Sequence, residues 1–289
     1  MRSRGFSLIE LIVAITVAGI IAAFIGMFLK TPTDAYFAQV HRADLTDSAD
    51  AIVRALEQDV PTALPYSVWR ARNGQYEVLS FLATVDSARY FATPELGGIA
   101  ARELDFSAAD GLFSLDGKFN NLGAVFPPGA HLAVMNNNLG TASADVYNLV
   151  KVITPNGSSV SFKLPPPMAG EDQIQIAPPF QFGNPSPSNT VFVVTGPVAY
   201  LCDEGAGTIR KYSGYPITAT QYTTPASFPA SASSSLVARF VTSCQFSFLA
   251  ATAGHGDVVS IRVLLTEITY GQGTEQLQLF HQVGESRAP

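Results

Sequence analysis

Charge is scarce in this chain: only 14% of its 289 residues are Asp, Glu, Lys or Arg, and the balance is acidic, at a formal −6. A surface that reads nucleic acid needs a concentration of Lys and Arg to meet the phosphates. The net charge excludes that class, and nowhere do Lys and Arg cluster enough to reverse it. Cysteine is nearly absent, with Cys202 and Cys244 alone, and there is no C-x-x-C pair. The four histidines, His41, His131, His255 and His281, are scattered, so no spacing of a metal box is present. A phosphate-binding glycine loop and a nucleophile elbow are also missing. No residue is therefore assigned a catalytic role, and neither metal nor cofactor is expected.

What the chain has instead is Gly, Pro, Ser, Thr and Asn in quantity, with 47% hydrophobic residues. That mixture suits strands and turns outside the cytoplasm, in a chain long enough for a substantial core. In an oxidising compartment Cys202 and Cys244 would form one disulfide. It would close a loop of about forty residues and contribute roughly 4 kcal/mol in the chain-entropy view. The plainer alternative is two unrelated buried thiols acting as small hydrophobes.

The most informative segment is the first. Met1-Arg2-Ser3-Arg4-Gly5 precedes an apolar stretch, residues 6–29, whose one charge is Glu10. As a helix these roughly 24 residues reach about 36 Å, enough to cross a hydrocarbon core of ~30 Å. Arg2 and Arg4 lie before it and Lys30 follows, so the positive-inside rule leaves the N-terminus cytoplasmic and the remainder exported. A secretory signal peptide would have a shorter apolar region, and neither that nor a plain signal anchor accounts for Glu10. A carboxylate within a membrane helix costs about 2.5–3.5 kcal/mol near the centre and less near an end, so it usually has a task.

Gly5-Phe6-Ser7-Leu8-Ile9-Glu10 resembles the G-F-T-L-I-E signature of type IV prepilins and type II secretion pseudopilins. The resemblance implies that a prepilin peptidase cuts between Gly5 and Phe6 and that the new amino terminus of Phe6 is methylated. It makes Glu10 the fifth residue of the mature chain. There the positive end of the helix dipole favours an anion, and the carboxylate can pair with the Phe6 amine of a neighbouring subunit in a low-dielectric bundle. The partners implied are other pilin or pseudopilin subunits, the peptidase and the inner membrane, with passage into a pilus or pseudopilus after assembly.

Pro32 is expected to interrupt or kink the helix. An amphipathic continuation then starts near Thr33, with Tyr36, Val40, Ala43, Ala49, Ile52, Leu56 and Val60 on its apolar side, and Pro61 and Pro65 ending it. From about residue 66 the period becomes two. Strands are expected over 77–83, 131–135, 146–153, 160–164, 191–195, 198–202, 244–249, 258–268 and 275–283. Residues 223–235 read as a long exposed loop whose flanks the disulfide would staple. His255-Gly256-Asp257, Asp116–Asn121 and Cys202-Asp203-Glu204 read as polar turns rather than sites. Arg210, Lys211, Tyr212 and Tyr215 read as strand pairing and cation–π packing within the head.

The expected class is α+β: a long N-terminal hydrophobic helix followed by an antiparallel β-sheet-rich head. The divisions are a leader at 1–5, a transmembrane or filament-core helix at 6–30, an amphipathic continuation at 31–65 and the exported head at 66–289. The C-terminal run 193–217, with 236–239, 244–248 and 281–283, resembles the MshO-type minor pilins of the mannose-sensitive haemagglutinin (MSHA) pilus. Those are similar in kind to J-type minor pseudopilins. That resemblance implies a structural role in filament initiation or at the tip. An exported adhesin or binding module on a prepilin-type anchor is the competing class.

Overall fold

The computed structural model describes residues 7–91, 102–134, 146–249, 258–269 and 273–284. One helix, α1 (Leu8–Asp59), spans 52 residues, about 78 Å at 1.5 Å per residue. It does not stop at Pro32 or restart at Thr33. A proline in a helix forfeits one backbone bond, and the turns on either side carry the helix across that gap. Val60–Thr62 tighten into a 3₁₀ turn containing Pro61, and Ala63 is already extended.

The two halves of α1 bury different amounts because their sequences differ. Apolar residues surround the first half and stay exposed on every side, from Leu8 at 77% to Phe28 at 81%. In the second half Leu45, Ala49, Ile52 and Leu56 follow spacings of four, three and four, which aligns them on one face. All four are buried. The stripe thus begins at Leu45: the expected members Tyr36, Val40 and Ala43 are exposed.

That stripe meets two antiparallel sheets. The central sheet contains β1 (Trp69–Asn73), β2 (Tyr76–Arg89), β4 (His131–Val134), β7 (Thr190–Asp203), β8 (Thr208–Ser213) and β9 (Ser233–Ala238). Its order is β1-β2-β7-β8-β9, with β4 paired to β7 as well. β2 lines the whole of one edge of β7, while β4 (on Val191–Val194) and β8 (on Ala199–Asp203) share the other. A second sheet is the meander β10 (Val241–Leu249), β11 (Val258–Thr269) and β12 (Gly273–Gly284). A third joins β3 (Asp110–Ser114), β5 (Ser159–Phe162) and β6 (Gln173–Phe180) in the order β3-β6-β5.

Period-two alternation sends Leu79 and Phe81 of β2, and Val198, Tyr200 and Cys202 of β7, into the same core as the helix stripe. Val259, Ile261, Val263 and Leu265 of β11 close it from the other side. A separate core, with Tyr90, Phe113, Phe182 and Val193 among its members, lies between the third sheet and the β4 end of β7.

Four further sequence expectations change. Residues 146–153 do not form a strand: Val146–Asn148 make a 3₁₀ turn, and Leu149 and Lys151 take positive φ of 56° and 55°, which breaks an extended chain. The segments 191–195 and 198–202 are one strand, β7, which passes through Gly196 at φ +132°. Strands β1, β3, β6, β8 and β9 were not foreseen. Residues 223–235 are partly built in: they hold a short 3₁₀ turn, Pro225–Ser227, and Phe228 stacks on Tyr212 with ring centroids 4.0 Å apart.

Ile52 is 1% exposed at the centre of the helix–sheet core. Ile52→Ala is therefore expected to lower unfolding stability by about 2–5 kcal/mol. Denaturant unfolding of the full chain in detergent checks this, and a change below about 1 kcal/mol would contradict the packing described.

Candidate functional site

The N-terminal part of α1 combines two properties. It is exposed along its length, and its mean hydropathy reaches 2.7, which makes it long and apolar enough to cross a membrane. Gly5 and Phe6 lie outside the described residues. The helix starts just after them, with Ser7 extended and its carbonyl accepting from Glu10 N (3.0 Å) and Leu11 N (3.1 Å). Glu10 is the acidic residue of the first turn, and its side chain is exposed. Thr16, a hydroxyl in the middle of the apolar stretch, donates to Ile12 O and Val13 O and so satisfies itself inside the helix. An apolar surface of this extent is stable only against lipid tails or other apolar helices.

The other end of α1 is fastened to the head by charge as well as by packing. His41 Nδ1 lies 2.6 Å from Glu267 Oε1, Arg42 grips Glu275 at 3.0 Å, and His281 Nε2 lies 3.3 Å from Glu57 Oε1. At the helix terminus Lys211 pairs with Asp59. The buried Tyr200 hydroxyl donates to Asp59 Oδ2 (2.5 Å) and Ala55 O (2.9 Å). Burial, and the Asp59 carboxylate beside it, hold that phenol far above its ordinary value, so it stays a donor.

Cys202 and Cys244 are bonded, with Cα atoms 6.6 Å apart, joining β7 of the central sheet to β10 of the second. Around them the seam between the sheets is polar. Arg72 pairs with Glu204 at 2.7 Å and donates to Cys244 O at 3.3 Å, Glu204 accepts from Cys244 N at 3.1 Å, and Arg70 donates to Phe246 O at 3.4 Å. Glu77, only 1% exposed, stands 3.7 Å from both arginines. Burial still pushes its carboxyl above the usual carboxylate range, against the Phe246 N–H and the two guanidinium groups. A cavity of about 330 Å³ opens beside this network. The sequence reading missed the network, because Arg70, Arg72 and Glu77 carry no motif and meet Cys244 only through the fold.

The remaining sequence candidates are structural where they are described. Asp203 Oδ1 caps Gly205 N and Ala206 N in a turn. Near Asp116–Asn121, Asp172 and Asp86 accept from the backbone of Phe119 and Asn121. Tyr212 and Tyr215 pack with Phe228. His255 and Asp257 lie outside the described residues. His131 Nδ1 meets Thr154 O at 2.7 Å, and burial pulls its pKa below the ordinary value.

Comparison with known proteins bears on the same end of the chain. Residues 1–26 match the family model described as the prokaryotic N-terminal methylation motif. The chain thus carries a type IV pilin-like signal, which supports processing by prepilin peptidase. Together with the one apolar helix, it fits a single-pass inner-membrane anchor bearing an exported head. No curated protein and no solved structure matches the chain.

A residue lacking a side chain suits a cut made at the membrane edge. Gly5→Arg is therefore expected to leave the leader in place, so that intact-mass analysis finds the chain still beginning at Met1. An N-methylated Phe6 terminus on that variant would refute this use of the motif.

Proposed function

We propose that this protein is a structural minor pilin or pseudopilin, cut between Gly5 and Phe6 and methylated on Phe6. It is held in the inner membrane with its N-terminus cytoplasmic, then packed by the same helix into a filament. The single observation that carries this reading is the exposed apolar first half of α1, with Glu10 in its opening turn, inside a matched methylation motif. A membrane can cover that surface, and so can identical helices of neighbouring subunits. Moving from one to the other exchanges one apolar environment for another at little cost, which is what assembly out of a bilayer requires.

Glu10 is the polar element of the exchange. Among apolar helices its carboxylate is stabilised by the cationic amine of a neighbouring Phe6, at a separation where the low dielectric strengthens the attraction. The head is large and bears no long apolar patch comparable to the helix among the described residues. A bulky head crowds a dense filament, which favours a place at the initiating complex or tip, in an MSHA-like pilus or a type II secretion pseudopilus.

Glu10→Ala is expected to be processed normally yet to enter filaments at about a tenth of the wild-type level or less, a change worth roughly 1.4 kcal/mol. Unchanged incorporation, quantified on sheared filaments, would remove the pairing role. Immunogold labelling of the head is expected to mark filament ends, and an even distribution along filaments would overturn the tip assignment.

A further inference from the structure

Three groups that sequence spacing leaves unrelated meet where the stalk helix joins the head. His41 and Asp44 occupy positions i and i+3 of α1, so they share a face. Glu267 reaches them from β11, 226 positions away from His41. One ligand atom from each of the three lies within 4.8 Å of the others. His41 Nδ1 and Glu267 Oε1 are already 2.6 Å apart, in side chains only 20% and 14% exposed. The second carboxylate oxygen of Glu267 is buried and accepts no hydrogen bond. An orphaned carboxylate oxygen beside an imidazole has lone pairs in excess of the donors supplied, and a cation is the partner that uses them.

From this arrangement we infer that His41, Asp44 and Glu267 form a binding site for a zinc-like divalent transition-metal ion. The donor set is one imidazole nitrogen and two carboxylates. It carries two negative charges when the imidazole is neutral, so a divalent ion leaves the cluster electrically balanced. A nitrogen donor and three protein ligands suit tetrahedral Zn²⁺ with water in the fourth position. They suit Ca²⁺ poorly, since it takes six or more oxygens, and Mg²⁺ poorly, since it keeps an all-oxygen octahedron. Ligands about 2 Å from a tetrahedral ion stand roughly 3.4 Å from one another, so His41 Nδ1 and Glu267 Oε1, now 2.6 Å apart, would part slightly to admit the ion. The ion takes the place of the proton between His41 and Glu267. Arg42, the cation next along the helix, is engaged by Glu275 through both Nε (3.3 Å) and Nη2 (3.0 Å).

The consequence is mechanical as well as chemical. A metal held by α1 and β11 together ties the stalk to the C-terminal sheet about a dozen residues beyond the apolar stretch. The site exists only when helix and head are docked, so binding strengthens that docking by mass action.

The untagged full-length chain in detergent, stripped with chelator and titrated with ZnCl₂ by calorimetry, tests the proposal. Saturation at one equivalent is expected, together with a rise in the thermal unfolding midpoint. His41→Gln and Asp44→Asn should each weaken binding about tenfold or more. Asp44 is exposed, so its variant keeps the fold, as circular dichroism would verify. Absence of zinc binding, binding undiminished in both Asp44→Asn and His41→Gln, or displacement of zinc by millimolar Ca²⁺ would each overturn the site.

Discussion

The seating of one helix face against two sheets governs the rest of this molecule. Leu45, Ala49, Ile52 and Leu56 fill the space between the central sheet and the C-terminal meander, and they share a core with Phe81, Tyr200, Ile261 and Leu265. The helix stripe lies in the core that both sheets share. Because the same helix is apolar on all sides in its first half, the head's folding and the chain's attachment to lipid or filament depend on one continuous element.

Charge and covalent chemistry support that seating at its margins. The helix terminus is held by Tyr200 and Lys211 through Asp59. The join between the sheets is held by the Cys202–Cys244 bond and by arginines that bridge to Glu77 and Glu204. Glu77 is nearly inaccessible, and a buried carboxylate left without its partners would be strongly destabilising. This polar seam therefore constrains how the two sheets meet, and it does so close to the disulfide.

Much of the architecture was legible in residue order. The apolar run, Glu10 and the basic leader are contiguous, so their meaning survives without three-dimensional information, and the α+β class follows from the switch of period after Pro61. Strands with clean alternation, such as β11 and β12, were found for the same reason, and the middle of β2 stood out as a short apolar run. β8 and β9, with runs such as Thr208–Ser213 and Ser233–Ala238, are polar enough to read as loop, and they are strands because β7 and each other supply the pairing. The 146–153 segment misled in the opposite way: Val146, Tyr147, Val152 and Ile153 are buried although the chain there turns through two left-handed residues. His41 and Glu267 illustrate the limit most plainly, since nothing local to either announces the other.

The contacts between α1 and β12 progress in step. Arg42 meets Glu275, and Glu57 meets His281. Fifteen residues of helix advance about 22 Å, and six residues of strand about 20 Å, so the two elements run side by side in the same sense. A filament that is pulled from its base would load this joint in shear, with the successive fastenings sharing the force along the seam. An end-on joint would instead open like a zipper, one bond at a time. The long shared flank of α1 and β12 would therefore hold against tension along the helix better than an end-on joint would.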